Sequence, residues 1–147
     1  MIYSSIYSHG VDGKRRLSIP AKWRNAGENE EETLTLLIWK KGASQEACLM
    51  ALSEEMMARL LEKLRSMSLS DPKAEALRRL LGGGSDQVTV DKAGRICLPD
   101  QLAKAAGIEG EAKLVGLVDS FQIWNPQRYQ AAAASDEALR DVAYTML

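Results

Sequence analysis

Residues that bind metals or form disulfides are scarce in this 147-residue sequence. His9 is its only histidine, and Cys48 and Cys97 are its only cysteines, far apart and without C-x-x-C spacing. A zinc site needs about four ligands of the cysteine, histidine or carboxylate type. We therefore predict no metal and no other cofactor, and we expect both cysteines to be reduced side chains within strands.

Long apolar runs and the motifs of common enzymes are also missing. No run reaches the roughly 18 residues that span a bilayer, and the N-terminus lacks the basic and apolar regions of a signal peptide. We therefore expect a cytoplasmic protein. The sequence contains no nucleophile elbow, no phosphate-binding loop and no convincing pair of carboxylates, and this predicts that the protein is not an enzyme.

Neither sign of charge dominates, since the net charge is −1. The distribution is more informative than the total, because nucleic-acid binders concentrate their cations in a patch. Residues 9–24 contain five basic residues and a single acidic one, Asp12. An acidic run follows at residues 28–32, which we expect to form a solvated loop. A basic patch therefore lies within a nearly neutral chain.

An internal repeat organises the chain. Residues 11–20 (VDGKRRLSIP) align without gaps with residues 90–99 (VDKAGRICLP) at a constant offset of 79. Valine, aspartate, arginine and proline are identical, and the two apolar positions between arginine and proline are conservative pairs. Weaker similarity continues into the apolar segments 36–52 and 114–124. The chain therefore contains two copies of one small β-rich unit.

Local patterns predict the elements of each unit. Asp12-Gly13 and Ala93-Gly94 have the composition of tight turns, and proline after a strand can open a helix. Asp119-Ser120 predicts a two-residue hairpin loop in the second unit. From these patterns and from β-branched or alternating residues, we predict strands at 2–7, 16–19, 88–90 and 95–98 and short helices at 21–24 and 100–106.

A helical insert is predicted between the two units. Ser53 has the composition of a helix cap and precedes leucines at helical spacing. Asp71-Pro72 opens a second helix, and the glycines at 82–84 end it. The predicted organisation is a first unit at 1–52, the insert with its glycine-rich joint at 53–84, a second unit at 85–125 and a C-terminal helical tail at 126–147.

The two repeated strings resemble the D-x-x-G-R-φ-x-φ-P signature of the MraZ family, in which φ is apolar. This family belongs to the wider AbrB-like, or swapped-hairpin, superfamily. The resemblance extends over nearly the whole chain, because the length, both signatures, the insert and the tail all match. It implies an α+β, β-rich fold in which two tandem AbrB-like (SpoVT-AbrB) ββαββ units form a pseudo-twofold β-barrel, with the insert and a C-terminal helix added.

The resemblance also implies a sequence-specific DNA-binding transcriptional regulator, with repression as its expected effect. Its target would be G-rich direct repeats upstream of the division and cell-wall gene cluster, bound in the nucleoid by a ring-shaped homo-oligomer. The alternative is an AbrB-fold scaffold or antitoxin-like regulator that acts mainly on a protein partner. Removal of Lys14, Arg15 and Arg16 separates the two, because only the DNA-binding regulator would then lose its function.

The first signature departs from the family pattern at one position. Glycine usually precedes the signature arginine, as Gly94 precedes Arg95, whereas Arg15 precedes Arg16 in the first copy. A left-handed backbone would cost arginine about 1 kcal/mol or more relative to glycine. Either the turn shifts so that Gly13 takes the left-handed position, or the first loop is rebuilt.

DNA binding requires cations on a protruding turn with a fixed backbone. Arg16 matches the signature arginine and is the first candidate, because arginine can bind guanine O6 and N7 in a bidentate way. Lys14 is better suited to phosphate. For Arg95, DNA contact and a structural role fit equally well, since Asp12 and Asp91 can each pair with an arginine and hold the turn. The predicted DNA-binding residues are Lys14, Arg15, Arg16, Lys22, Arg24 and Arg95.

Overall fold

The computed structural model describes residues 1–24, 31–40 and 46–147. The strands are β1 (Ile6–Gly10), β2 (Arg16–Ser18), β3 (Glu32–Trp39), β4 (Cys48–Ser53), β5 (Ser85–Val90), β6 (Arg95–Cys97), β7 (Glu111–Gly116) and β8 (Phe121–Trp124). The helices are α1 (Glu54–Arg65), α2 (Pro72–Gly83), α3 (Asp100–Ala106), α4 (Pro126–Glu137) and α5 (Arg140–Thr145), and a 3-10 helix spans Ala21–Trp23. The fold is α+β, and none of the helices in the described ranges could cross a membrane.

Six of the strands form one antiparallel sheet in the order β1-β7-β8-β4-β3-β5. Both halves of the chain contribute strands to this sheet, and strands of different halves pair where β1 meets β7, β8 meets β4 and β3 meets β5. If β1 to β4 are exchanged for β5 to β8, the order is simply reversed. The halves are therefore interleaved rather than separate, and each completes the other's sheet.

Among the described strands, the remaining two, β2 and β6, pair with each other and with none of the six in the large sheet. Leu17 of β2 lies opposite Ile96 of β6 in a separate two-stranded ladder. The residues between β1 and β2 lead the chain from one edge strand of the sheet into the ladder, and the residues between β5 and β6 lead it in from the other edge strand. The prediction of a β-barrel is therefore corrected: in the described residues, hydrogen bonds form an open six-stranded sheet and a short ladder.

Two predictions are wrong: the bounds of the first strand and the length of the last hairpin loop. The first strand spans 6–10 rather than 2–7, because Ser5 has a left-handed φ of 76° and separates Tyr3 from β1. The loop between β7 and β8 covers four residues, 117–120, and not Asp119-Ser120 alone. Its backbone includes Val118 at a φ of 76°, a conformation that no pattern of β-branched residues predicts.

Helix boundaries agree better with the sequence, because capping residues fix them locally. The Ser53 hydroxyl accepts the Met56 amide at the start of α1, and the Asp71 carboxylate accepts the Lys73 amide at the start of α2. Gly107 ends α3 with a φ of 67°. In the acidic run, positions 28–30 lie outside the described residues, Glu31 is exposed and the next residue already belongs to β3.

The core fixes the ladder and the 3-10 helix against the large sheet. Leu17 and Ile96 are buried on the inner side of the ladder, and Trp23 is buried at the end of the 3-10 helix. The Trp23 ring packs on Phe121 of β8, with ring centroids 4.9 Å apart, and its indole N–H donates to the Ser4 carbonyl. The backbone around both turns is therefore held by buried apolar side chains.

Candidate nucleic-acid interface

The two repeated turns fold around their aspartates. The Asp12 carboxylate accepts the backbone amides of Lys14 and Arg16 at 2.9 and 2.8 Å. The Asp91 carboxylate accepts the amide of Arg95 at 2.9 Å. Short side-chain acceptors of this kind stabilise tight turns by satisfying backbone donors. The repeated aspartate thus has the same local function in both halves.

Arg15 and Gly94 occupy the same position of their turns, and both have a left-handed backbone. Their φ angles are 61° and 80°, while Gly13 is not among the residues with a positive φ. Both outcomes left open by the sequence are therefore wrong: the turn neither shifts to Gly13 nor is rebuilt, because Arg15 itself adopts the left-handed conformation and the two turns share the same backbone hydrogen bonds. The Arg15 Nε donates to the Leu98 carbonyl at 3.0 Å, a contact that glycine could not make and that offsets part of the cost of about 1–2 kcal/mol for a left-handed residue.

Backbone hydrogen bonds join the two turns to each other. The Leu98 amide donates to the Arg15 carbonyl at 2.8 Å, and the Ile19 amide donates to the Gly94 carbonyl at the same distance. The two bonds occupy equivalent positions in the repeats, because an offset of 79 residues relates Arg15 to Gly94 and Ile19 to Leu98. They flank the pairing of β2 with β6. The turns therefore lie side by side as one surface, which we call the paired-turn surface (residues 12–16 and 91–95).

The signature arginines both pair with the aspartate of their own turn. Arg16 Nε lies 2.6 Å from Asp12, and Arg95 Nε lies 3.5 Å from Asp91. The Arg16 side chain retains 38% of its exposure, and the contact with Asp12 does not use its two terminal nitrogens. The ion pair with Asp12 therefore orients the Arg16 side chain, which still reaches solvent, as a side chain that contacts DNA bases must.

Arg24 lies against this surface, although it is eight residues beyond the first turn. Its guanidinium lies against Gly94, so closely that a Cβ on Gly94 would meet Nη1 at 1.9 Å. Within the described residues, Arg24 Nε is buried without a hydrogen-bond partner. The glycine of the second signature thus provides both the left-handed turn and the space for an arginine from the first half.

The other predicted cations differ in how the structure connects them to the turns. Lys14 is exposed at the tip of the first turn, and Arg15 lies 4.0 Å from Asp100 at the start of α3. Lys22 is exposed on the 3-10 helix beside the buried Trp23. Lys22 is therefore at the surface next to Trp23, but no described side-chain contact brings it to the paired turns.

Sequence reasoning missed one residue of the paired-turn surface and one beside it. Lys92 is exposed in the second turn, and the alignment of the repeats already placed it opposite Gly13. Cys97 is also exposed, and its thiol lies 3.4 Å from the Lys14 carbonyl. The position of Cys97 could not be predicted, because it depends on the pairing of the two turns and not on either repeat alone.

Both turn aspartates are stronger acids than usual. The amide of Arg16 and its side chain hold the pKa of Asp12 below its ordinary value, and the amide of Arg95 does the same for Asp91. Both carboxylates are therefore ionised at neutral pH. The paired turns and their flanks nevertheless contain more cations than carboxylates, because Lys14, Arg15, Lys22, Arg24 and Lys92 add to the two paired arginines.

Comparison with known proteins supports one family. A family profile described as "MraZ protein, putative antitoxin-like" matches residues 81–147. A Thermomicrobium roseum protein named "Transcriptional regulator MraZ" is 35% identical over 127 residues, covering 86% of this chain and 84% of the relative. Proteins of the same name from Acetivibrio thermocellus and Herpetosiphon aurantiacus are 34% and 38% identical and cover 88% and 90% of this chain, with 85% and 88% of their own lengths matched.

These features define an α+β protein whose two halves are interleaved and whose two repeated turns form one basic surface. The extent of the similarity then identifies the family, because the relatives match in both halves and over most of their own length. The chain belongs to the MraZ family.

Proposed function

We propose that this protein is a sequence-specific DNA-binding regulator of transcription and that the paired-turn surface reads the DNA. The observation that carries the proposal is the pair of bonds from Leu98 to Arg15 and from Ile19 to Gly94, which brings two basic turns together. The names of the relatives support regulation of transcription. No catalytic role is proposed.

The chemistry of each cation suggests its part in binding. Arg16 is oriented by Asp12 and reaches solvent, so it is the best candidate to bind guanine O6 and N7, a contact worth roughly 1–3 kcal/mol of discrimination. Lys14, Lys22 and Lys92 are exposed point charges and suit phosphates. Arg15, Arg24 and Arg95 bind DNA in this proposal while they also stabilise the turns.

The architecture proposed for this function is a tandem repeat. Units 1–52 and 85–125 would be AbrB-like ββαββ copies related by a pseudo-twofold axis, with 53–84 as an insert and 126–147 as a tail. The reversible strand order and the equivalent bonds between the turns support this reading. A pseudo-twofold surface would present both signatures to the same stretch of duplex.

One paired-turn surface is too small for tight binding by a chain with a net charge of −1. We therefore propose a ring-shaped homo-oligomer in which several surfaces bind together. Direct repeats spaced by about 10 base pairs place each copy on the same side of the helix. The proposed targets are G-rich direct repeats upstream of the division and cell-wall gene cluster, with repression as the effect and the nucleoid within the cytoplasm as the location.

Fluorescence anisotropy tests this proposal directly. The protein is titrated against a labelled duplex with G-rich direct repeats and against a scrambled duplex, each at two salt concentrations. We expect tight binding that depends on the repeats and weakens steeply with salt, as counterion release requires. Equal, weak binding to both duplexes would contradict sequence-specific regulation and would favour the AbrB-fold scaffold or antitoxin-like regulator that acts on a protein.

A further inference from the structure

An apolar groove opens between the insert helices and the outer face of the large sheet. It encloses about 360 Å³ and is lined by side chains of α1, α2, β3 and β4, including Trp39, Leu60 and Leu77. Leu80 of α2 lines the groove and is 47% exposed. Among the described lining residues, Lys63 is the one that carries a charge. We call this site the insert groove.

The C-terminal helix has an apolar face that the described part of its own chain does not cover. Leu139, Val142 and Met146 follow the spacing of one helical face, and they are 63%, 60% and 82% exposed. No residue of α5 is buried against the described part of the chain. Its counterpart in the first half, α2, is the second helix after the matching hairpin and buries Ala74. Only one of the two equivalent helices is therefore packed.

We propose that α5 of one copy docks in the insert groove of a second copy. The insert groove and the exposed face of α5 are both apolar, and both are exposed in a single chain. Each can therefore bury the apolar side chains of the other. Their charges are also complementary: Lys63 is at the groove, whereas residues 136–141 contain Asp136, Glu137 and Asp141 against the single cation Arg140. The second copy is therefore the occupant that we assign to the groove.

The proposed contact has a definite symmetry. It joins a tail to a groove, so it is heterologous, and contacts of this kind build rings when the rotation between copies closes. The inference rests on the proposed homo-oligomer and adds the two surfaces that hold it together. Because neither surface includes the paired turns, assembly and DNA contact can be disturbed separately.

Point variants of exposed residues provide the first test, measured by sedimentation velocity without DNA. Val142→Glu changes the tail and Leu80→Glu changes the groove, and both positions are exposed enough for the single chain to fold. We expect either variant to raise the dissociation constant of self-association by about tenfold or more, as for a central interface residue. Leu69→Glu is the matched control, because Leu69 is 82% exposed outside both surfaces, and it should assemble like the wild type.

A mixing experiment tests the direction of the contact. The Val142→Glu chain keeps an intact groove, and the Leu80→Glu chain keeps an intact tail. At a concentration near the wild-type dissociation constant, each alone should be mainly monomeric, whereas an equimolar mixture should form a one-to-one pair through the one intact contact. Failure of the mixture to pair, or assembly of both variants at wild-type strength, would overturn the inference.

Self-association of the wild type distinguishes a failure of the tail-and-groove contact from a failure of the proposed homo-oligomer. If the wild type assembles and the variants do too, only the tail-and-groove contact is wrong. If the wild type stays monomeric up to about 100-fold above the concentration that saturates DNA, the homo-oligomer itself is wrong, and this contact with it. Binding of the Val142→Glu chain to a single repeat should in either case match the wild type, because the paired turns are unchanged.

Discussion

The guanidinium of Arg24 lies directly on Gly94. A Cβ at Gly94 would be 1.9 Å from Arg24 Nη1, and the φ of 80° at this glycine disfavours any other residue. This contact joins the end of the first short helix to the turn of the second half. It explains in physical terms why glycine precedes the second signature arginine while Arg15 can replace it in the first: the two turns have similar backbones but different neighbours.

Left-handed backbone strain and the contact with Arg24 both favour glycine at position 94, and a pair of variants separates the two effects. Gly94→Ala should lower the free energy of unfolding by about 1–3 kcal/mol, through left-handed strain and the clash with Arg24. In the Arg24→Ala background the clash is absent, so the same change should cost only about 1 kcal/mol. Urea unfolding at one protein concentration measures both. Gly13→Ala is the control, because no atom of the described residues would lie within 4 Å of the added Cβ. Equal costs of Gly94→Ala in both backgrounds would contradict the packing argument.

Replacement of Arg15 should affect stability and DNA binding differently. Arg15→Gly removes the left-handed strain but also the Nε bond to the Leu98 carbonyl, so stability should change by less than about 1 kcal/mol. The plot of log affinity against log salt should become less steep by about 1, because one cation is lost. Arg15→Lys keeps the charge and should keep the salt dependence. An unchanged slope in Arg15→Gly would show that Arg15 does not contact phosphate.

The turn aspartates should make the protein sensitive to acid. Because the folded state lowers the pKa of Asp12, its carboxylate stabilises the fold fully above the ordinary value of 3.8, and this contribution is lost as the pH falls through the lowered pKa. Asp12→Asn keeps an oxygen acceptor for the amides but cannot titrate. Its unfolding free energy should therefore be lower at neutral pH and should fall less steeply below about pH 4. Parallel curves for wild type and variant would contradict this.

The two cysteines should react at very different rates. Cys48 is fully buried, and burial raises the pKa of its thiol to about 12, whereas Cys97 is exposed beside the Lys14 carbonyl. An aromatic disulfide reagent should modify one thiol per native chain and a second only in urea, and Cys97→Ser should abolish the native reaction. Since Cys97 lies at the paired turns, its modification should also weaken DNA binding. Fast reaction of both thiols in the native chain would contradict the burial of Cys48.

Much of this fold could be predicted because the determinants were local. Asp12 and Asp91 specify their turns through their own carboxylates, and the sequence also predicted their pairing with arginine. The misplaced first strand and the longer hairpin loop depend on left-handed Ser5 and Val118, conformations that neighbouring contacts stabilise and that no local pattern indicates. The same holds for the left-handed Arg15.

The paired-turn surface itself could not be predicted from either repeat. Its position depends on bonds between residues 75 to 83 apart, such as the one from Leu98 to Arg15. The sequence did identify the cations of the first turn, together with Lys22, Arg24 and Arg95, but it missed Lys92 in the second turn. It did not indicate that Arg24 would cover Gly94, or that Cys97 would reach the first turn.

The central claim is that Arg16, held by Asp12, reads the DNA. Its most direct test is the ratio of affinities for G-rich direct repeats and for a scrambled duplex, measured for wild type, Arg16→Ala and Arg79→Ala. Arg79 is the matched control, because it too pairs with a carboxylate four residues away, Glu75, but on the insert. We predict that Arg16→Ala lowers the ratio by roughly 10- to 100-fold and that Arg79→Ala leaves it unchanged. An unchanged ratio in Arg16→Ala, or an equal loss in both variants, would contradict the claim.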